Sequence, residues 1–230
     1  MSGSPRFPEL RLNTLAGGAP HPRDPVDACR RAEEMGLGSE FNAERFTVTD
    51  AVTLSGAAAV ASTNLQNVTA ATNHNTRHPI VTASYATTMH RLTGGRFVLG
   101  IGRGVAPLFD AFGISRITTA QMEDFAGLMR RLWHGETVIG HAGPVGSYPV
   151  LRLDPTFDEN IPLGLVAFGP NSLALGGRAF DHVILHTFFT DETLQRCVRT
   201  VKEAAESAGR DPESVTVWSC YATVGDHLPE

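Results

Sequence analysis

The chain has 230 residues, of which 42% are hydrophobic and 19% are charged, and its net charge at pH 7 is −5. This composition is typical of a globular protein, and the acidic balance argues against a surface for nucleic acid or anionic membranes. The N-terminus lacks a secretory signal and the apolar run at 51–61 is too short to cross a bilayer, so we expect a cytoplasmic protein.

The first half of the chain alternates strand-like and helix-like segments. An apolar strand is predicted at 10–15, and Asp24 is expected to cap a helix that runs to Met35. The best-signalled helix begins at Pro79, where proline costs little because the first helical N–H has no intrahelical partner. The remaining predicted segments are strands at 39–43, 67–72 and 96–101 and helices at 51–62 and 79–92. Four strand–helix units are therefore expected before the middle of the chain.

The second half resumes this alternation after one interruption. A helix is predicted from about 118 to 134 by apolar side chains at a 3.6-residue period. The segment 138–160 is rich in glycine and proline and is expected to be a loop or a small insertion. Further strands are predicted at 161–167, 181–186 and 215–224, with helices starting near 170 and 191.

We expect residues 1–230 to form one domain, because no linker divides the predicted strands. The three cysteines are far apart and are expected to be free thiols. Strands and helices that alternate in this way require a parallel sheet with right-handed crossovers. From the residues alone, the fold is either a (β/α) barrel or an open doubly wound sheet.

The candidate functional residues lie in loops that follow the predicted strands, because parallel α/β folds place their sites there. Glu44, which precedes Arg45, is a candidate for an acid/base role, and an ordinary surface ion pair is the alternative. His186 lies at the exit of a strand. Together with His182 it provides too few ligands for zinc, so no metal site is predicted.

A second candidate is an anion-binding loop. Pro170 would begin a helix there and leave the next backbone N–H groups free to face a phosphate, although an ordinary helix start is the alternative. The glycine-rich run at 100–104 lacks the last glycine of a dinucleotide fingerprint, so a nicotinamide enzyme is disfavoured. The loop consists of Gly169, Pro170, Asn171 and Ser172.

Four segments together resemble the bacterial luciferase-like monooxygenase family. They are 32–45, 72–79, 92–104 and 165–172, and the most specific part is Arg77-His78-Pro79 together with GGRFVLGIGRG. The resemblance implies an α/β fold, a TIM-type (β/α)8 barrel that is truncated after the seventh strand, with the C-terminal strand–helix unit missing. It also implies an oxidoreductase or monooxygenase that uses coenzyme F420 or FMN.

The resemblance further implies roles for matched residues. The cofactor ring would lie against the end of the third strand, at a cis peptide between Ala70 and Ala71, with Thr72 and Asn73 lining it. Arg103 and Gly104 would lie beside the cofactor's tail, and the 169–172 loop would bind its phosphate. Glu44 and His186 are the catalytic candidates. The proton-transfer pair of the family's sugar-phosphate dehydrogenases is not matched, because Glu44 and Val105 stand at those positions.

The implied reaction is hydride transfer, or oxidation by O2, on a small organic substrate, with paired donors if the chain is a monooxygenase. The expected partners are this substrate and a second copy of the chain, with which it would form a homodimer. The alternative function is a truncated, non-catalytic barrel that acts as a binding or partner-interaction module through its open edge. From the sequence, both cofactors and both reaction types stay open.

Overall fold

A computed structural model of the protein describes residues 4–13, 21, 23–187 and 189–220. Strands and helices alternate through most of these residues. The strands are β1 (Phe7–Asn13), β2 (Leu37–Asn42), β3 (Gln66–Thr69), β4 (Phe97–Ile101), β5 (Val138–Gly143), β6 (Gly146–Leu151), β7 (Leu163–Val166), β8 (His182–Ile184) and β9 (Thr216–Trp218). The α-helices are α1 (Arg23–Met35), α2 (Ala51–Ala61), α3 (Pro79–Leu92), α4 (Ala106–Ala111), α5 (Thr119–Trp133), α6 (Pro170–Ala179) and α7 (Asp191–Ser207).

Seven of the strands form one parallel sheet in the order β1-β2-β3-β4-β7-β8-β9. This order follows the chain without reversing, whereas a doubly wound sheet reverses at its switch point. The sheet also curls, so that its two edge strands approach each other. The guanidinium of Arg11 in β1 lies 4.4 Å from the ring centroid of Phe41 in β2 and 5.5 Å from that of Trp218 in β9. The barrel topology is therefore confirmed, with β1 and β9 as the edges of the described sheet.

The core has two layers because side chains alternate across each strand. In β4, Phe97, Leu99 and Ile101 pack under the helices, in one cluster with Phe125 and Trp133 of α5. The intervening Val98 faces the concave side. There it joins Phe41, Val68 and Ile184 from neighbouring strands. The near-continuous apolar runs of the sequence follow from this burial on both faces.

Side chains cap the N-termini of α3 and α5. His78 Nδ1 accepts the N–H of Ile80 at 3.3 Å, and Pro79 occupies the first turn of α3 as predicted. In α5, Thr118 and Gln121 form a reciprocal capping box. The predicted cap at Asp24 is wrong, because α1 begins at Arg23 and Asp24 lies inside its first turn.

The segment predicted as a loop or insertion contains an antiparallel hairpin, β5–β6, in the register Val138↔Leu151. Asp124 of α5 anchors it, since its carboxylate accepts the N–H of Val145 at 2.9 Å. Strand boundaries also differ from prediction: β1 begins at Phe7 rather than at residue 10, β8 ends at Ile184, and β9 covers Thr216–Trp218. Residues 14 and 15 of the first predicted strand and residues 221–224 of the last lie outside the described residues.

Three further observations concern the described residues. The cysteines Cys29, Cys197 and Cys220 are free thiols, as expected. No described helix combines the length and the apolar composition that a bilayer crossing requires. In the same residues no group of three or more His, Cys, Asp or Glu side chains is placed to hold a metal ion.

Candidate active site

A cleft of about 750 Å³ opens at the carboxyl ends of five parallel strands, β2, β3, β4, β7 and β8. Its wall brings together segments that are far apart in the chain. The lining residues are Ala43, Glu44, Ala70, Ala71, Gly102, Arg103, Gly104, Thr119, Val166, Phe168, Gly169, Pro170, Asn171, Ser172 and His186. The predicted strand-end loops therefore converge on one cavity.

The wall at the end of β3 contains the Ala70–Ala71 peptide, which is cis as the resemblance implied. It is held to the end of β2 on both sides. The N–H of Ala70 donates to the carbonyl of Asn42 at 2.6 Å, and the N–H of Glu44 donates to the carbonyl of Ala71 at 3.2 Å. Both alanines line the cleft, so this wall is flat and has no long side chain.

Two glycines make the adjoining wall at the end of β4. A Cβ on Gly102 would lie 3.1 Å from the Cβ of Ala71, so a side chain there would push the two walls apart by a few tenths of an ångström. Gly104 has φ +70°, and a Cβ there would lie 2.2 Å from the ring of Phe109. The glycine-rich run is thus explained by close approach within the site.

Glu44 is held by an ion pair with a residue that the sequence analysis did not assign to the site, Arg77. Its Oε2 lies 3.2 Å from Nη1 of Arg77 and accepts the hydroxyl of Thr72 at 2.9 Å. Its Oε1 accepts the N–H of Ala51, at the start of α2, at 3.1 Å. The partner of Glu44 is therefore Arg77 rather than the exposed Arg45.

Arg103 lies between the cleft and the start of α5. Its guanidinium donates to the carbonyl of Ile117 at 2.7 Å and to the hydroxyl of Thr119. Both partners are neutral oxygens, so no carboxylate among the described residues cancels this positive charge. The cleft therefore carries one uncompensated cation.

The start of α6 forms the opposite side of the cleft. Gly169 is the N-cap and Pro170 occupies the first turn, as the sequence predicted. Ser172 reinforces the turn, because its hydroxyl donates to the carbonyl of Gly169 at 2.9 Å. The first N–H groups of a helix have no intrahelical acceptors, and those that remain here belong to residues on the cleft wall. They add a positive partial charge to that of Arg103.

Of the other predicted site residues, one lines the cleft and two lie behind its wall. His186 lies at the mouth of the cleft, exposed, with its ring centroid 5.0 Å from that of Phe168. His182 is not its partner, because the Nδ1 of His182 accepts the indole N–H of Trp218 at 3.0 Å. Thr72 and Asn73 are buried behind the wall rather than on it. Asn73 donates to the carbonyl of Gly102 at 2.7 Å and so ties the two walls together.

Sequence reasoning assigned no role to five residues of the cleft wall, and it missed one neighbouring cavity. The five residues are Ala43, Gly102, Thr119, Val166 and Phe168, and the predicted helix start near 118 was the available signal for Thr119. A pocket of about 270 Å³ adjoins the cleft and shares Glu44 and Gly104 with it. No motif marks this pocket, because its walls come from a loop and from α4, a short helix that was not predicted.

Two buried titratable groups lie on or next to strands that end at the cleft. Glu40 of β2 is fully buried, and burial raises its pKa to about 8 although the side chains of Asn42, Cys29 and Asn67 face it. His74 follows Asn73 and is 4% exposed, with its ring stacked on Phe125 at 5.3 Å. Burial lowers the pKa of His74 to about 4. Both groups are therefore uncharged near pH 7.

Residues 7–226 match the family model described as luciferase-like monooxygenase. The chain belongs to this family. This luciferase-like chain is 27% identical over 212 residues to a 5,10-methylenetetrahydromethanopterin reductase of Methanolobus tindarius, a match that covers 87% of this chain and 63% of the relative. The chain thus spans less than two thirds of the length of that relative.

Solved structures agree on the fold. The structure of the coenzyme F420-dependent tetrahydromethanopterin reductase from Methanopyrus kandleri superposes with a TM-score of 0.78 at 20% identity, covering 92% of this chain and 65% of that one. The oxygenating constituent of the 3,6-diketocamphane monooxygenase of Pseudomonas putida, in complex with FMN, superposes with a TM-score of 0.75 at 20% identity, covering 91% and 66%. The luciferase-like barrel fold expected from the resemblance is confirmed.

Proposed function

We propose that the cleft binds coenzyme F420 or FMN and that this luciferase-like chain is an oxidoreductase acting on a small organic substrate. The observation that carries the proposal is the convergence of three features in one cavity. Arg103 and the start of α6 provide positive charge, and the Ala70–Ala71 wall provides a flat surface. An anionic tail and a planar ring are the two parts of such a cofactor.

The residues present fit this group in size and charge. A cavity of about 750 Å³ lies within the ~300–1,000 Å³ that cofactor sites occupy. The carboxylate of Glu44 does not repel an anion strongly, because Arg77 neutralises it. The bare backbone at Gly102 and Gly104 leaves room against the alanine wall. The similarity to an F420-dependent reductase and to an FMN-bound monooxygenase supports either cofactor.

Each part of the cleft then has a role that follows from its contacts. Arg103 and the N–H groups at the start of α6 would hold the phosphate, and the alanine wall would orient the ring. Glu44 would position the wall through Thr72, since its oxygens are already hydrogen-bonded. His186, exposed at the mouth, would bind substrate or move a proton. When bound, the cofactor would supply hydride transfer or the activation of O2.

Equilibrium titration of the full chain with FMN and with F420, followed by fluorescence, tests this proposal. We expect saturable binding of at least one of them, and Arg103→Ala should weaken it at least tenfold. Arg131→Ala is the matched control, because it removes the same charge from an exposed pair with Glu136 at the far end of α5. Folded protein that binds neither cofactor would refute the proposal. Binding that is equally strong in both variants would remove Arg103 from the site.

The two reaction types are separated by a second measurement. If the chain is a dehydrogenase, adding substrate anaerobically to protein loaded with oxidised cofactor should reduce the cofactor, because the substrate gives up a hydride. If the chain is a monooxygenase, protein loaded with reduced cofactor should consume O2 in a substrate-dependent way. Cofactor binding without either activity in a broad substrate screen would instead favour the binding-module alternative.

A further inference from the structure

The pocket beside the cleft has aromatic walls from two separate elements. Phe46 comes from the loop after β2, while Phe109 and Phe112 come from α4 and the residue that follows it. The ring of Phe46 lies 5.9 Å from that of Phe109 and 6.4 Å from that of Phe112. Val105 and Leu108 complete the apolar lining. We call this cavity the aromatic pocket.

The buried polar groups of the aromatic pocket already have hydrogen-bond or ion-pair partners within the protein. Glu44 is paired with Arg77 and has a side chain that is 3% exposed. The amide of Asn73 donates to the carbonyl of Gly102. Arg45 and Thr47 also line the pocket, and both residues are exposed to solvent. A charged group would therefore lose its hydration against the aromatic walls, where no buried side chain of opposite charge is free to pair with it.

The aromatic pocket adjoins the proposed cofactor cleft, because Glu44 and Gly104 line both cavities. The two cavities differ in chemistry. The cleft has an uncompensated cation and a helix N-terminus, whereas the pocket has apolar side chains on both walls. A ligand group in the pocket would extend directly to the border with the cleft.

Several of these apolar side chains are open to solvent. Leu108 is 49% exposed and Phe112 is 47% exposed. Exposed apolar side chains gathered around a cavity mark a binding site more often than isolated ones do. The size of the pocket limits its occupant: a dry apolar cavity of ~150 Å³ already holds benzene. About 270 Å³ has room for one or two rings.

We infer that the aromatic pocket holds the apolar ring or branched alkyl group of a neutral organic substrate. The inference rests on the proposed function, because the pocket is useful for catalysis only beside a bound cofactor. It narrows the substrate class to molecules with an uncharged hydrophobic part. It also makes Phe46, Leu108 and Phe112 specificity-determining residues.

Binding of Prodan, a neutral fluorophore with one pair of fused rings, to the full chain tests the inference. We expect one saturable site per chain, displaced by cyclohexanone but not by cyclohexanecarboxylate or cyclohexylammonium at equal concentration. Leu108→Asp and Phe46→Ser alter opposite walls, and each should weaken probe binding at least tenfold. Ile139→Asp is the control, because it places the same charge at an exposed apolar position on the hairpin and should change affinity less than twofold.

Three outcomes would overturn the inference. The first is probe affinity that is unchanged in folded Leu108→Asp and Phe46→Ser. The second is displacement by the charged ring compounds as efficient as by cyclohexanone. The third is a wild-type dimer in light scattering that becomes monomeric in Leu108→Asp, which would assign this surface to contact between two copies. Failure of the proposed function would be seen separately, as loss of FMN and F420 binding while the probe still binds.

Discussion

Arg77 joins three elements of the site through a single guanidinium. Its Nη1 lies 3.2 Å from Oε2 of Glu44 and 2.9 Å from the hydroxyl of Thr72. It also pairs with Asp50, the residue that caps α2. The ends of β2 and β3 and the start of α2 are thus held by one cation. This arrangement favours a positioning role for Glu44 over proton transfer.

Arg77→Ala should lower the free energy of unfolding by about 3 kcal/mol, because it leaves a shielded carboxylate without its cation. Urea unfolding followed by circular dichroism measures this change. Arg131→Ala breaks an exposed pair, whose partners are 44% and 46% exposed, and should lower the free energy of unfolding much less, because solvent screens this pair. Equal costs in the two variants would mean that Glu44 finds another partner or water.

Stability should fall as pH rises through the titration of Glu40. Its pKa is about 8 in the folded protein against 4.5 for an ordinary Glu, so the folded state holds the proton more tightly. Between these values the unfolded state has lost its proton while the folded state keeps it. Unfolding free energy should therefore decrease with pH, by at most about 1.4 kcal/mol per pH unit for one proton.

Glu40→Gln removes this titration and keeps the shape of the side chain. We expect the variant to lose most of the decline in unfolding free energy between pH 7 and pH 8. Urea unfolding at intervals across that range is the measurement. A wild-type curve that is flat there would contradict a protonated Glu40.

His74 should make the unfolding free energy depend on pH in the opposite direction to Glu40. Its pKa is about 4 in the folded protein against 6.5 for an ordinary His, so the unfolded state binds the proton more tightly. Its contribution to stability is fully present above about pH 6.5 and is lost as pH falls towards 4. Its ring nitrogens have no hydrogen-bond partner among the described residues.

Between pH 4.5 and 6.5 Glu40 and His74 change the unfolding free energy in opposite directions, so His74→Phe should leave the Glu40 effect uncancelled: the unfolding free energy should fall more steeply with rising pH in this range than it does in the wild type. The substitution keeps an aromatic ring against Phe125. Urea unfolding from pH 6.5 down to pH 4 checks this. The change of unfolding free energy with pH between pH 7 and pH 8 is the internal control. Of Glu40 and His74, only Glu40 is expected to titrate in that range. An unchanged acid slope would show that His74 is not the group responsible.

Gly104 should tolerate no side chain. Gly104→Ala would combine a positive φ with a Cβ 2.2 Å from the ring of Phe109, and we expect a loss of at least about 2 kcal/mol together with weaker cofactor binding. Gly113 is the matched control, since its φ is +68° and nothing lies within 4 Å of its Cβ position. Gly113→Ala should show only the backbone cost of about 1–2 kcal/mol. Thermal unfolding and cofactor titration distinguish the two variants.

The sequence predicted what depends on local chemistry. Pro79 marked the start of α3 correctly, and the 3.6-residue apolar period marked α5 correctly. The strand-end loops that contain Arg103 and Gly169 were recognised because each follows a buried run. The six-residue α4 was missed, because so short a segment has too few turns for a visible period.

The sequence by itself therefore determined the alternation of elements, the family and the loops that form the cleft, because periodicity and turn residues act over a few positions. Only the tertiary structure decided which side chains face that cleft. Arg77 meets Glu44 from 33 residues away, and Asn73 turns behind the wall to bind the carbonyl of Gly102. The aromatic pocket likewise exists only because the sheet brings the loop after β2 against α4. Such contacts depend on strand register and on the curl of the sheet, which no local pattern encodes.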